Sequence, residues 1–251
     1  MFIPGMTSVT FRKKSISEIV DICKLAKLEC LEWGGDVHIP PGSAVAAEAR
    51  KICKDEGIRI FSYGSYFSLT GTDDYIGDFR KIADTCGDLG AKVVRIWATR
   101  GWRRDASQAE YDSFIEKMKT VSDIAAEYQL TVCFEHHQKT FCDCCCNAQN
   151  VLADISRPNI KTYWQPICDS FEDNLRSACA LKDKTVCLHV YNWKGSERYL
   201  LSEGEKQWKE YLSVFKSEEK EIPCLLEFAK DDCETCFLAD ADCLRRMLSV
   251  S

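Results

Sequence analysis

Eight short apolar runs alternate with longer amphipathic segments along the chain. The runs are rich in β-branched and aromatic residues, which favour strands, whereas the segments between them space their apolar positions as helices do. Eight such pairs in 251 residues give about 31 residues each, the size of one strand followed by one helix. The first run covers residues 7–11, and the others begin near Glu29, Ile58, Ala91, Leu130, Asn159, Thr185 and Ile222.

The segments between the runs carry helix start signals. Residues 15–18, 107–110 and 202–205 each fit a capping box, in which Ser and Glu satisfy the first free amides of a helix. No linker or charge block divides the sequence, so we expect one domain over residues 1–251. Eight units in one domain predict an α/β fold with a single (β/α)8 TIM barrel, and a doubly wound open sheet is the alternative. The clearest predicted helix follows Ser107 and buries Tyr111, Phe114, Ile115, Met118, Val121, Ala125 and Tyr128.

Charge and cysteine content narrow the expected partners. The chain has 33 Lys and Arg against 39 Asp and Glu, and this net charge of −6 disfavours binding to nucleic acid or to anionic lipid. No apolar stretch reaches the length of a membrane helix, and no export signal is recognisable, so we expect a cytoplasmic protein without a membrane partner. We interpret the 16 cysteines as reduced thiols, while residues 142–146 and the pair Cys233 and Cys236 leave zinc binding or disulfide cycling open.

Four consecutive predicted strands end in a polar side chain. Glu135, Gln165, His189 and Glu227 end the fifth to the eighth strand. In barrels of this type the reactive residues lie at these carboxyl ends, and a charged group there is costly unless it is paired or binds a metal. Two carboxylates, an imidazole and an amide oxygen suit one divalent cation: Mn²⁺ or Mg²⁺ first, with Zn²⁺ or Co²⁺ also compatible. The alternative is that the glutamates pair with arginines such as Arg95 and that the histidine is a core residue.

The strand ends also make the chain recognisable. It resembles the xylose isomerase-like barrel superfamily, and in particular its small sugar phosphate isomerase and epimerase members. The matching segments follow one another from the second strand to the eighth and cover nearly the whole chain: residues 31–40 (LEWGGDVHIP), 62–67 (SYGSYF), 94–98 (VRIWA), 134–137 (FEHH), 163–166 (YWQP), 188–193 (LHVYNW) and 226–228 (LEF).

The resemblance implies that Glu135, Gln165, His189 and Glu227 hold one divalent metal. It also implies that Glu135 and Glu227 act as catalytic bases in a sugar or sugar-phosphate isomerase or epimerase, which abstracts an α-proton through a metal-stabilised enediolate. Such a proton is too weakly acidic for a carboxylate at neutral pH without a Lewis acid. The alternative function is a dehydratase of the same superfamily that acts on a keto-sugar or keto-cyclitol.

Departures from the family pattern weaken the specific resemblance to ketose 3-epimerases. The family's ketose 3-epimerases have an aspartate where this chain has Gln165. Where they carry a further glutamate, histidine and arginine, this chain has Phe141, Cys168 and Gly195. The resemblance to the superfamily's DNA-repair endonucleases is weaker still, because those enzymes hold three zinc ions with many histidines and this chain has four histidines. A sugar-binding module without catalysis is a further alternative, which the metal-ligand pattern disfavours.

Side chains near other strand ends are the predicted contacts for a small sugar or sugar-derived substrate: Glu32, His38, Trp97, His137, Trp164 and Lys194. Aromatic residues among them would form an apolar wall against a sugar ring, to which Trp33, Tyr66 and Trp193 would add. Basic loop residues such as Arg100 and Lys230 would be needed for a phosphate group. A homo-oligomer is compatible with the resemblance.

Overall fold

Eight parallel strands and eight helices alternate in a closed barrel. The computed structural model describes residues 1–97 and 99–250, so Ala98, in the predicted fourth-strand motif, and Ser251 lie outside the described residues. The strands are β1 Phe2–Thr7, β2 Cys30–Gly34, β3 Arg59–Gly64, β4 Val93–Ile96, β5 Thr131–Glu135, β6 Ile160–Trp164, β7 Thr185–Val190 and β8 Ile222–Leu226. The helices are α1 Ile16–Leu25, α2 Val45–Asp55, α3 Tyr75–Leu89, α4 Gln108–Glu127, α5 Cys145–Ile155, α6 Phe171–Leu181, α7 Glu205–Phe215 and α8 Glu234–Val250.

Pairing between the first and last strands closes the barrel. Each strand pairs in parallel with its neighbours in sequence, and β1 also pairs with β8, from Phe2 opposite Ile222 onwards. The single TIM barrel predicted from the sequence is therefore confirmed, and the open sheet is excluded. After β7 the chain forms a small antiparallel hairpin from Trp193–Lys194 and Glu197–Arg198 before it continues to α7.

The first strand lies earlier than the sequence pattern predicted. The prediction of a strand at residues 7–11 is wrong, because β1 ends at Thr7 and Ser8–Phe11 forms a short 3-10 helix. Gly5 looks like a strand breaker, yet a Cβ atom there would lie 2.5 Å from the carbonyl oxygen of Cys30 and 2.6 Å from Leu225 Cδ2. The close approach of β2 and β8 to β1 therefore requires a glycine.

The helices pack their apolar faces on the outside of the barrel. α4 buries the predicted stripe from Tyr111 to Ala125. The capping boxes at Ser15 and Ser107 are present, with each serine accepting from the N–H of the glutamate three residues later. The third predicted box is wrong, because α7 begins at Glu205 without a side-chain cap. No helix in the described part of the chain is both long enough and apolar enough to span a membrane.

Two layers of side chains fill the barrel. We call the lower one the apolar floor, because its members are buried hydrophobic side chains: Ile3, Cys30, Cys133, Tyr163, Cys187 and Leu225. We call the upper one the charge layer. Its members lie at the carboxyl ends of the strands, each less than a tenth exposed: Glu32, Arg95, Glu135, Gln165, His189 and Glu227.

Candidate active site

Strand alternation aims the charge layer into the barrel. Side chains two residues apart on a strand point to the same face. On β5, Cys133 lies in the apolar floor and Glu135 lies above it, and on β7 the pair Cys187 and His189 repeats this arrangement. Tyr163 with Gln165 and Leu225 with Glu227 extend the same pattern just past the ends of β6 and β8. The four predicted metal ligands therefore face one centre.

Arg95 is the counterion of two glutamates in this layer. Its Nε donates to Glu32 Oε1 at 2.9 Å, and its Nη1 donates to Glu135 Oε2. Ser62 donates its hydroxyl to the other oxygen of Glu32 at 2.9 Å. Burial alone would raise the pKa of Glu32, but Arg95 and His189 outweigh burial and lower it to about 2. The arginine pairing considered from the sequence thus holds for Glu135 and also involves Glu32.

The two carboxylate oxygens of Glu135 face different partners. Oε2 accepts from Arg95 and, at 2.8 Å, from the indole Nε1 of Trp97. Oε1 lies 3.5 Å from His189 Nδ1 and accepts from Gln165 Nε2 at 3.2 Å. Burial would raise the pKa of Glu135, yet Arg95 and then His189 hold it well below its usual range. Glu135 is therefore fixed as a carboxylate, with Oε1 turned towards the centre.

The remaining ligand candidates surround the same point. His189 Nδ1 lies 3.3 Å from Glu227 Oε2, and Glu135, His189 and Glu227 each offer a ligand atom within 4.8 Å of the others. His189 Nδ1 and Gln165 Oε1 are buried without a hydrogen-bond partner. Ligand bonds of about 2.0–2.2 Å to one cation place ligand atoms roughly 3–3.5 Å apart, and His189 Nδ1 lies 3.3 and 3.5 Å from the nearest oxygens of Glu227 and Glu135.

The charge balance of the layer fits a divalent cation. Glu32, Glu135 and Glu227 carry three negative charges, and Arg95 supplies one positive charge. The net charge of these four side chains is therefore −2. His189 adds no charge when it binds a metal, because a metal-binding imidazole is neutral. Burial disfavours a charged His189, but Glu227 and the other carboxylates raise its pKa well above the usual value, which shows how strongly this point attracts positive charge. The residues fit one divalent metal. No group of cysteines in the described residues converges in the same way.

A small aromatic pocket opens above the charge layer. Its volume is about 120 Å³. Glu135, Gln165 and Glu227 reach it from below with Arg95, and the walls are Tyr66, Trp97, His137, Tyr191, Trp193 and Phe228. Phe228 follows Glu227 directly and has a left-handed backbone with φ of 61°, and its N–H donates to Thr10 Oγ1 at 3.1 Å. Such a conformation is uncommon for a large side chain.

His137 lies in the pocket wall with one ring nitrogen hydrogen-bonded. Its Nδ1 lies 2.6 Å from the carbonyl oxygen of Gln138, and its ring stacks on Trp97 with centroids 4.9 Å apart. A carbonyl oxygen only accepts, so Nδ1 carries the proton and Nε2 of the neutral ring keeps a lone pair. Because His137 is only partly buried, that lone pair is available at the pocket wall.

Two predicted substrate contacts lie elsewhere. Trp164 is fully buried against α7 and donates its indole N–H to Ser177 at 2.9 Å, so its predicted contact with substrate is wrong. It points outwards because its strand neighbour Tyr163 points inwards. His38 uses both ring nitrogens, with Nδ1 at 2.9 Å from Ser8 Oγ and Nε2 at 3.1 Å from the carbonyl oxygen of Lys14, and it is absent from the pocket lining.

The other predicted contacts divide in the same way. Trp97 and His137 line the pocket, whereas Glu32 lies beneath it as a partner of Arg95. Lys194 is exposed on the hairpin, with Nζ 4.7 Å from the ring centre of Tyr199, and it does not line the pocket. Trp33 is also fully buried away from the pocket.

Sequence reasoning missed three lining residues. Arg95 was considered only as a counterion, and Tyr191 and Phe228 were not considered as substrate contacts. Strand alternation carried the signal for two of them, since Arg95 shares a face with Trp97 and Tyr191 shares one with His189. Nothing local in the sequence predicts the left-handed turn that brings Phe228 over the site.

Comparison with known proteins places this geometry in context. The chain is 22% identical over 169 residues to a 3-dehydroshikimate dehydratase of Bacillus anthracis, a match that covers 62% of this chain and 59% of that relative's length. Among solved structures, the probable 3-DHS dehydratase involved in petrobactin synthesis from Bacillus anthracis superposes with a TM-score of 0.82 at 18% identity, covering 98% of this chain and 99% of that one.

Two further structures share the fold. The IOLI protein with a bound zinc atom gives a TM-score of 0.77 at 14% identity over 98% of both chains. An L-ribulose 3-epimerase gives 0.74 at 12% identity, covering 100% of this chain and 94% of that one. The profile that describes the xylose isomerase-like TIM barrel matches residues 20–247. The chain therefore belongs to the xylose isomerase-like TIM-barrel family.

Proposed function

We propose that this chain is a divalent-metal-dependent dehydratase that removes water from a cyclic β-hydroxy ketone related to 3-dehydroshikimate. The difference between Glu135 and His137 carries the proposal. Glu135 is held as a carboxylate by Arg95 and Trp97, whereas His137 offers an unshared lone pair in the pocket. This difference favours His137 as the base for proton abstraction over a pair of opposed glutamates.

Glu135, Gln165, His189 and Glu227 would hold the cation, with Mn²⁺ or Mg²⁺ favoured. Bound there, a divalent cation supplies Lewis acidity at the substrate carbonyl and so lowers the pKa of the neighbouring C–H. Aromatic side chains form most of the cavity wall, and an apolar wall of this kind strengthens such electrostatic stabilisation.

His137 performs the proton transfers. Its Nε2 takes the proton from the carbon beside the carbonyl, and the electron pair of that C–H bond forms a carbon–carbon double bond. The bond from the next carbon to its hydroxyl breaks, and the hydroxyl takes the proton back from Nε2 and leaves as water. The net change is the loss of one water, so the histidine ends in its initial state.

The isomerase or epimerase expected from the resemblance needs different geometry. Epimerisation requires a base on each face of the carbon. The surroundings of Glu135 favour a ligand over a base, because Oε2 accepts two hydrogen bonds and Oε1 faces the metal position. The sequence similarity to a dehydratase supports the same choice.

Product mass tests the proposal. The purified chain is supplied with Mn²⁺, Mg²⁺, Zn²⁺ or Co²⁺ and incubated with 3-dehydroshikimate, and, in D₂O, with keto-sugars. We expect loss of one water from 3-dehydroshikimate, abolished by His137→Gln and by Glu227→Gln. His38→Gln is the matched control. It should retain activity because His38 bonds to Ser8 and Lys14 and does not line the pocket. Turnover of a keto-sugar without loss of water, with deuterium from D₂O entering the product at carbon, would instead assign an isomerase or epimerase.

A further inference from the structure

A pair of cysteines outside the pocket lies at the start of α8. Cys233 directly precedes the helix, and Cys236 is its third residue. Both side chains are partly exposed. Residues three apart in a helical turn lie on one side, and the two thiols contact each other. Because this segment follows β8, the pair lies on the same end of the barrel as the pocket mouth.

The two thiols have opposite electrostatic surroundings. The backbone N–H of Cys236, then that of Thr235, and then the Cys236 thiol lower the pKa of Cys233. Partial burial, Cys233 itself and the nearby Asp231 raise the pKa of Cys236. One thiol is therefore suited to attack as a thiolate, while its neighbour stays protonated until the next step.

The cysteines near the start of α5 differ from this pair, although Cys145 and Cys146 also contact each other. Burial raises the pKa of Cys142, Cys145 and Cys168. Cys144 caps α5, where its sulfur accepts from the N–H of Asn147 at 3.4 Å. Cys179 in α6 is exposed and serves as the reference thiol.

We propose that Cys233 and Cys236 form a thiol–disulfide exchange site for a low-molecular-weight disulfide. The Cys233 thiolate attacks the sulfur–sulfur bond of the small disulfide, forms a mixed disulfide and releases one thiolate. Cys236 then loses its proton and attacks the Cys233 sulfur, which releases the second thiol and leaves a Cys233–Cys236 disulfide. The pair gives up two electrons, and the small disulfide takes them up as two thiols.

Reaction with glutathione disulfide tests the site in the full-length chain. The reduced protein is mixed with glutathione disulfide, free thiols are blocked at intervals, and peptides are mapped by mass spectrometry without reduction. We expect Cys233 to react about fivefold or more faster than Cys179 and to end in a disulfide with Cys236.

Single variants separate the two steps. Cys236→Ser stops at a stable mixed disulfide on Cys233, Cys233→Ser removes the fast reaction, and Cys179→Ser leaves it unchanged. Thermal unfolding of each variant checks that the fold is retained. Equal rates at Cys233 and Cys179, or a Cys233 that remains a free thiol, would overturn the proposal whether or not the chain is a dehydratase.

Discussion

Arg95→Met tests whether one guanidinium holds the charge layer together. In the wild type Arg95 is 2% exposed and bonds Glu32 and Glu135, which are themselves buried. Methionine keeps much of the volume but leaves both carboxylates without their counterion. Breaking a buried pair in this way costs about 3–5 kcal/mol. For a domain of this size we expect Tm to fall by about 6–20 °C.

The matched control is Arg157→Met. Arg157 also approaches a carboxylate with two nitrogens, at 3.0 and 3.4 Å from the oxygens of Asp123, but that pair lies at the surface. Surface pairs contribute little to stability, so we expect almost no change in Tm. Circular dichroism melts of the three proteins measure the comparison.

The pH dependence provides a second readout of the same variant. Glu32 has a folded-state pKa of about 2, below the unfolded value near 4.3, so the stability it contributes is present above pH 4.3 and is lost as pH falls towards 2. Arg95→Met removes this contribution, and burial then favours protonated carboxyls. The deficit should therefore shrink between pH 7 and pH 4. A deficit that matches Arg157→Met, or one that does not change with pH, would refute the role given to Arg95.

Three further comparisons follow from the structure. Gly5→Ala should lower stability by about 1–3 kcal/mol in urea unfolding because its Cβ meets Cys30, whereas Gly87→Ala in α3, with open space around it, should raise stability by about 0.5–1 kcal/mol. Burial raises the pKa of Asp240 to about 6, so ionisation of Asp240 above that pH makes the folded state less stable. Asp240→Asn keeps the oxygen that accepts from the Leu201 N–H at 2.7 Å. The free energy of unfolding should therefore rise by about 2–3 kcal/mol at pH 8 and change very little at pH 4. Trp97→Phe removes the indole N–H that donates to Glu135 and should lower kcat/KM about tenfold without loss of stability. Trp164→Phe removes the N–H that donates to Ser177 and should lower the free energy of unfolding by about 1–3 kcal/mol with unchanged kinetics. Equal kinetic effects of the two variants would contradict the placement of the two indoles.

Local pattern was sufficient to predict seven of the eight barrel strands. Period-two alternation also indicated that Glu135 and His137 share a face, and both contribute to the pocket. The failure at β1 has a nonlocal cause, because Gly5 is required by contact with β2 and β8 rather than by its own segment. Trp164 was misplaced although alternation with Gln165 already indicated that it points outwards.

Electrostatic partners were harder to predict than positions. The sequence presents Glu135 as a ligand and base of the same kind as Glu227, and only the fold shows that Arg95 and Trp97 occupy one of its oxygens. That contact joins β4 to β5 through side chains 40 residues apart, a separation at which spacing along the chain carries no information. The same limit applies to Phe228, whose place depends on a hydrogen bond to Thr10 near the other end of the chain.

The walls and the base of the pocket come from different parts of the architecture. Trp193 stands on a hairpin beyond β7, and Phe228 stands on a left-handed turn beyond β8, while Glu135 and His189 belong to the strands themselves. Loops of this kind accept replacement and insertion more readily than strands do. The two aromatic walls can therefore change in sequence while the strands that carry Glu135 and His189 keep their places in the barrel.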